Sequence, residues 1–165
     1  MSVTAALIII GNEVLSGRTR DANLQFIAKG LVDLGIRLAE VRVIADDAGA
    51  IAAAVNQARD VHDFVFTTGG IGPTHDDITS QSVADAFGVR LVRDPAALAL
   101  LEKHYEGGNL NEARLKMADI PDGARLIHNP VSAAPGFQMD NVFVMAGVPS
   151  IMEAMFDGIR DRLTG

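Results

Sequence analysis

Residues 67–79 read TTGGIGPTHDDIT: three glycines, a proline and two adjacent aspartates directly after an apolar run. Without a Cβ, Gly69, Gly70 and Gly72 let the main chain take unusual conformations and let a ligand come close to it. Successive N–H groups in such a loop, which also holds Thr74, form a concave nest that prefers an anion, and a helix beginning near Ile78 adds its positive end. That is phosphate-binding chemistry. It is neither a Walker A loop, since no Gly-Lys-Ser/Thr follows, nor the dinucleotide fingerprint, since the last small residue of G-x-G-x-x-G is missing. Asp76 and Asp77 beside the cradle would repel a phosphate unless a hard cation such as Mg²⁺ sits between carboxylate and phosphate oxygens. The stretch therefore predicts a metal-bridged phosphate or pyrophosphate site, with Asp77 and Asp76 as metal ligands. On spacing alone, Asp77 reads equally well as the N-cap of the following helix.

Two more loops have the composition to join this one. Residues 11–17, GNEVLSG, supply Gly11, Asn12, Glu13 and Gly17, and residues 147–150, GVPS, supply Gly147 and Pro149. In an open parallel α/β sheet, ligands bind at the carboxyl ends of the strands, where such loops converge. Glu13, Asp46 and Asp47 are second candidates for holding a metal or activating water; their structural readings are a solvated loop carboxylate and helix caps. His62, His104 and His128 are scattered without metal-ligand spacing, and no G-x-S-x-G marks a serine nucleophile.

The elements that must position these loops alternate. Residues 3–10 form a continuous apolar run, the pattern of a strand buried on both faces. Asp21 can cap a helix carrying Leu24, Ile27, Leu31 and Leu34, which Gly35 ends; a strand over 36–44 follows. Asp46 or Asp47 opens a helix with Ile51, Val55 and Ala58, and 63–68 read as a third strand. After the glycine loop come a helix over 78–87, a short edge strand over 89–92, and a helix from Asp94-Pro95 through Tyr105. A short helix over 110–118 and a strand over 124–128 lead to a hairpin of 136–139 and 141–145 around Asp140-Asn141, and Pro149 starts the final helix. Strand–helix alternation implies βαβ units on a largely parallel sheet with helices on both faces, which the hairpin makes mixed.

At 165 residues the chain suits a single domain spanning 1–165. Its 21 acidic and 14 basic residues give a net charge of −7 with no basic cluster, which argues against a nucleic-acid partner and leaves a phosphate-containing small molecule. The first eleven residues lack a basic flank, and their apolar run is too short to span a bilayer, so the expectation is a cytoplasmic protein without a membrane partner. No cysteine is present, which excludes disulfides and Cys-ligated zinc.

GNEVLSG, the D-x-N of Asp21 to Asn23, GGIGPTHDDIT, the NP-x(4)-PGF of residues 129–137 and the GVP of residues 147–149 together resemble the molybdopterin-binding-like domain of the CinA family, related to MogA and MoaB. The resemblance runs from about Ala6 to the C-terminus in the same order. It implies a three-layer αβα sandwich with a mixed sheet. It also implies a ligand-facing loop containing Pro135 and Gly136, and a glycine loop with Asp77 as the catalytic metal-holding residue, assisted by Asp76, acting at a phosphoanhydride beside a heterocycle. For the CinA type the implied activity is metal-dependent hydrolysis of ADP-ribose and similar pyrophosphates; for the cofactor-synthesis relatives it is binding and Mg²⁺-ATP-dependent adenylylation of molybdopterin. A non-catalytic nucleotide- or pterin-binding module is a further alternative, and relatives assemble as dimers or trimers. The chain departs from the family pattern at residues 132–136, Ser-Ala-Ala-Pro-Gly in place of Gly-Thr-Ala-Pro-Gly, and at Ala146 in place of proline. The deamidase domain that follows in many relatives has no counterpart here, so no deamidase activity is expected.

Overall fold

In the computed structural model, which describes residues 2–165, β1 (Thr4–Ile10) is buried from Ala5 to Ile10, as its unbroken apolar run requires. One helical turn, α1 (Asn12–Leu15), precedes α2 (Asn23–Asp33), whose first turn is tied by Leu24 N–H donating to Asp21 Oδ2 at 2.9 Å. β2 (Arg37–Ile44) leads to α3 (Ala48–Val61), capped by Asp47, which accepts from Ala50 N–H at 2.8 Å. β3 (Phe64–Thr68) runs into the glycine loop, and α4 (Thr79–Phe87) ends at left-handed Gly88.

Next come β4 (Leu91–Arg93), α5 (Pro95–His104) with Asp94 as cap, α6 (Glu112–Leu115) and β5 (Asp119–Pro121). β6 (Arg125–Ile127), β7 (Gly136–Met139), β8 (Val142–Met145) and α7 (Pro149–Ile159) complete the chain order.

The main sheet has the order β2-β1-β3-β8-β7-β6; the first four strands are parallel, and β7 is antiparallel to both its neighbours. Side chains alternate across it with period two. Ala5, Leu7 and Ile9 pack on one face with α2 and α7, while Ala6, Ile8 and Ile10 pack on the other with α3 and α4. This is the three-layer αβα sandwich. Phe66 joins the sheet to α7: its ring stacks on Phe143 at 5.4 Å between centroids and lies 5.8 Å from Phe156 of that helix. Burying each such ring stabilises the fold by about 1.5–3 kcal/mol.

Residues 89–92 do not extend the main sheet. β4 pairs instead with β5 in a separate two-stranded sheet, beside a small cluster of Ala97, Leu101 and Ala118. Residues 91–121 thus form an excursion between α4 and β6. Three residues are too few for periodicity to say which sheet a strand joins. Among the described residues no helix is long and apolar enough to cross a membrane.

Candidate functional site

Because β1, β3 and β8 are parallel and adjacent, the loops after them open on the same edge of the sheet. Three contacts fasten these loops together. Gly69 N–H donates to Met145 O at 3.1 Å; a Cβ on Gly147 would lie 3.1 Å from Gly69 Cα; and Asn23 Nδ2 donates to Gly147 O at 2.9 Å. Asn23 is 3% exposed, and its Oδ1 is buried without a hydrogen-bond partner among the described residues. The D-x-N motif therefore anchors the GVP loop, and its Asp21 ties the start of α2.

The loops enclose a cleft of about 610 Å³. That volume is ordinary for a small-molecule site. Of the residues expected from sequence, Glu13, Gly69, Gly70, Gly72, Asp77, Gly147 and Pro149 line it. Asn12, Thr74 and Asp76 lie instead in an adjoining cleft of about 430 Å³ with Arg18 and Asp46. Glu13, Gly70 and Asp77 face both. Gly11, Gly17, Pro135 and Gly136 line neither. Gly11, Pro135 and Gly136 are buried, and a Cβ on Gly136 would lie 2.4 Å from Val144 O, so this glycine serves strand packing rather than a ligand-facing loop.

The glycine loop is shaped by its own contacts. Gly69 and Gly70 have φ of 100° and 76°, conformations that L side chains rarely adopt. A Cβ on Gly69 would fall 2.2 Å from Ile10 O, one on Gly70 2.0 Å from Thr79 Oγ1, and one on Gly72 2.8 Å from Asp77 Oδ2. Bare backbone is needed here to close the turn.

Asp77 does not cap α4. Its Oδ2 accepts from Thr74 N–H and from Thr74 Oγ1–H, both at 2.9 Å, so the carboxylate turns back into the loop. The cap is not required there, because Thr79 N–H donates to Gly70 O at 3.0 Å and Thr79 Oγ1 donates to Gly69 O at 3.1 Å. Among the described residues Asp77 Oδ1 has no hydrogen-bond partner, and it belongs to a half-buried residue at the boundary of the two clefts.

Asp76 is set apart from its neighbour: 73% of its side chain is exposed, and its Oδ1 lies 3.4 Å from His75 Nε2. Among the described residues no three Asp, Glu, His or Cys side chains gather as a ready metal cage. This donor set fits a cation of the Mg²⁺ kind, which keeps several waters and takes one or two carboxylates plus the ligand's phosphate oxygens. Asp77 and Glu13 are the carboxylates facing the main cleft. Asp46 and Asn12 are paired reciprocally, Asn12 N–H to Asp46 Oδ2 at 3.0 Å and Asp46 N–H to Asn12 Oδ1 at 3.1 Å, which pins α1 to the end of β2.

The far wall escaped the sequence reading. Tyr105, Arg114 and Met117, from the excursion, line the cleft, and Lys116 Nζ reaches across to Thr74 O at 2.6 Å. No motif marks these residues. Asn129 of the NP motif is 2% exposed and builds the remaining wall: Oδ1 accepts from Val131 and Ser132 N–H, each at 3.0 Å, while Nδ2 donates to Ser132 Oγ and Ala134 O, each at 2.8 Å. Ala133 is held there at φ 72°, which costs about 1–2 kcal/mol for an L residue.

Known proteins resemble this chain in sequence and fold. The family model described as "Probable molybdopterin binding domain" matches residues 6–164. A CinA-like protein of Gloeobacter violaceus is 38% identical over 163 residues, covering 94% of this chain and 38% of that protein. The crystal structure of a CinA protein of unknown function from Thermoplasma acidophilum superposes with a TM-score of 0.91 at 38% identity, over 98% of both chains. The molybdopterin biosynthesis enzyme MoaB of Thermus thermophilus shares the fold, with a TM-score of 0.64 at 15% identity over 99% of this chain and 92% of that one. The chain spans well under half the length of the Gloeobacter relative.

Proposed function

This chain belongs to the family of probable molybdopterin binding domains, among its CinA-like members, and from that premise we propose that it hydrolyses ADP-ribose-like nucleotide pyrophosphates with a divalent metal, Mg²⁺ foremost. The observation that carries the reading is the Asp77 carboxylate. It stands on the wall of a nucleotide-sized cleft with one oxygen held by Thr74 and the other, among the described residues, without a protein partner.

In this reading Asp77 holds the metal, with Glu13 beside it on the cleft and Asp76 reaching the region only from the adjoining one. When bound, the metal neutralises charge developing on the phosphate oxygens. Thr74 keeps the Asp77 carboxylate aimed, and the glycine loop keeps the pyrophosphate in line with the attacking water. Water adds to one phosphorus, the bridging P–O bond breaks, and AMP and ribose 5-phosphate leave. Positioning and charge neutralisation supply most of the acceleration in such reactions.

The test is incubation with ADP-ribose, with and without Mg²⁺, Mn²⁺ or Co²⁺, following AMP by chromatography in the native chain and in Asp77→Asn. Metal-dependent AMP that disappears in the folded variant supports the assignment; AMP release unchanged by Asp77→Asn removes it. A second reading, binding or adenylylation of molybdopterin, is favoured by the description of the family itself. ATP-dependent product formation from molybdopterin selects that reading. Tight nucleotide or pterin binding without turnover under any of the metals selects a ligand-carrying module.

The same proposal includes a cytoplasmic homodimer or homotrimer. β2 is an edge strand with half-exposed Val41 and Val43, and sedimentation velocity reads the assembly.

A further inference from the structure

We infer that Arg114 is the anion-recognising residue of the cleft, donating a planar pair of N–H groups to phosphate oxygens of the ligand. This rests on the reading that the cleft takes a phosphate-bearing small molecule. Two acidic side chains, Glu13 and Asp77, face the main cleft in a chain of net charge −7. Among the described residues lining the cleft, Arg114 is the one Lys, Arg or His. A metal at Asp77 offsets charge at one place; a pyrophosphate has oxygens on two phosphorus atoms and needs a second cationic partner.

Two contacts hold this guanidinium, and two more fix the segment that carries it. Its carbon lies 4.8 Å from the centroid of the Tyr105 ring, a cation–π contact that confines it. Nη1 donates to Asn109 O. The backbone beneath it is fixed by Asn111, whose Oδ1 accepts from Arg114 N–H at 2.9 Å. Lys116 Nζ, two residues on, is bonded to Thr74 O at 2.6 Å and so locks the excursion against the glycine loop.

A guanidinium has five N–H donors in a rigid fork, and among the described residues the protein engages only Nη1 of this one. The remaining donors match two oxygens of a phosphate, a geometry that a lysine ammonium cannot reproduce. The stack on Tyr105 confines the side chain before the ligand arrives, which lowers the ordering cost of binding. A solvated, wandering arginine would need neither the shelf nor the carbonyl.

The experiment uses the full chain with Mg²⁺ and inorganic pyrophosphate as the probe, titrated calorimetrically against the native protein, Arg114→Gln, Arg114→Lys and Tyr105→Leu. Arg114→Gln is expected to weaken pyrophosphate binding about tenfold or more with an unchanged unfolding midpoint. Arg114→Lys should fall between it and the native chain, because charge is kept and the fork is lost. Tyr105→Leu should weaken binding by a smaller factor through loss of the shelf.

An unchanged Kd in folded Arg114→Gln, or native binding in Arg114→Lys, overturns the inference, as does a native chain that binds no pyrophosphate. Should Arg114→Gln fail to fold, the Arg114→Lys titration decides by the same criterion. Pyrophosphate binding that needs Arg114 in a chain releasing no AMP leaves the inference standing and removes the hydrolase. AMP release with a KM for ADP-ribose indifferent to Arg114→Gln does the reverse.

Discussion

Replacing Gly70 by alanine puts a methyl group where the glycine loop has no room for one. Gly70 sits at φ 76°, and the added Cβ would lie 2.0 Å from Thr79 Oγ1 and 3.1 Å from Thr79 Cβ. Thr79 cannot simply swing aside: it is fully buried, β-branched and stiff at χ1, and its N–H is bonded to Gly70 O at 3.0 Å. Rotating the hydroxyl away breaks its bond to Gly69 O and leaves a buried carbonyl unpaired, at about 1–3 kcal/mol. The left-handed backbone costs alanine a further 1–2 kcal/mol or so. A total near 3 kcal/mol lowers the melting temperature of a chain this size by roughly 6–12 °C.

Thermal and urea unfolding followed by circular dichroism read this directly, and Gly70→Ala/Thr79→Ala completes the cycle. Thr79→Ala alone removes the same hydroxyl bond, so in the double variant that loss is counted once and the clash is relieved. The double should be more stable than the sum of the singles by about 1–3 kcal/mol. An additive cycle, or a Gly70→Ala chain melting within about 2 °C of the native one, would refute the account of why glycine stands here.

Asp77→Asn should keep its bonds from Thr74 through the amide oxygen and melt near the native temperature, while metal-dependent AMP release falls by on the order of 100-fold or more. Asn23→Asp should destabilise the chain by about 1–3 kcal/mol in urea unfolding, since it sets a carboxylate against Gly147 O where an amide N–H now donates. It should also raise KM through the displaced 147–149 loop. Asp47→Ala should cost about 1 kcal/mol by loss of the α3 cap with kcat unaltered, and Asp47→Ser should restore most of that stability.

Much of the framework was legible because it depends on near neighbours. Residues 3–10 must be buried whichever fold encloses them; Asp47 and Asp94 bond amides three residues on; Gly88 ends a helix it directly follows. The parallel order of β1, β3 and β8 then brings their loops to one edge, so placing Glu13, Gly69, Gly70, Asp77 and Gly147 on a common cleft follows from topology alone.

The same local logic could not place what long-range packing decides. Asp77 and Asp76 are adjacent in the chain, yet only Asp77 faces the main cleft, because Thr74 draws its carboxylate into the loop. The family resemblance implied a ligand-facing loop at Gly136, whose backbone packs closely against Val144 O. The Tyr105 and Arg114 wall belongs to an excursion tied to the glycine loop by the hydrogen bond from Lys116 to Thr74, 42 residues apart, and Asn23 finds Gly147 across 124. Periodicity, caps and turn residues act within a few positions, so by itself the sequence determined the layers, the strand ends and the glycine-rich composition of the loop. Which carboxylate faces the main cleft, which cation lines it and which amide anchors the rim were decided by the tertiary structure, since those depend on how distant segments close on one another.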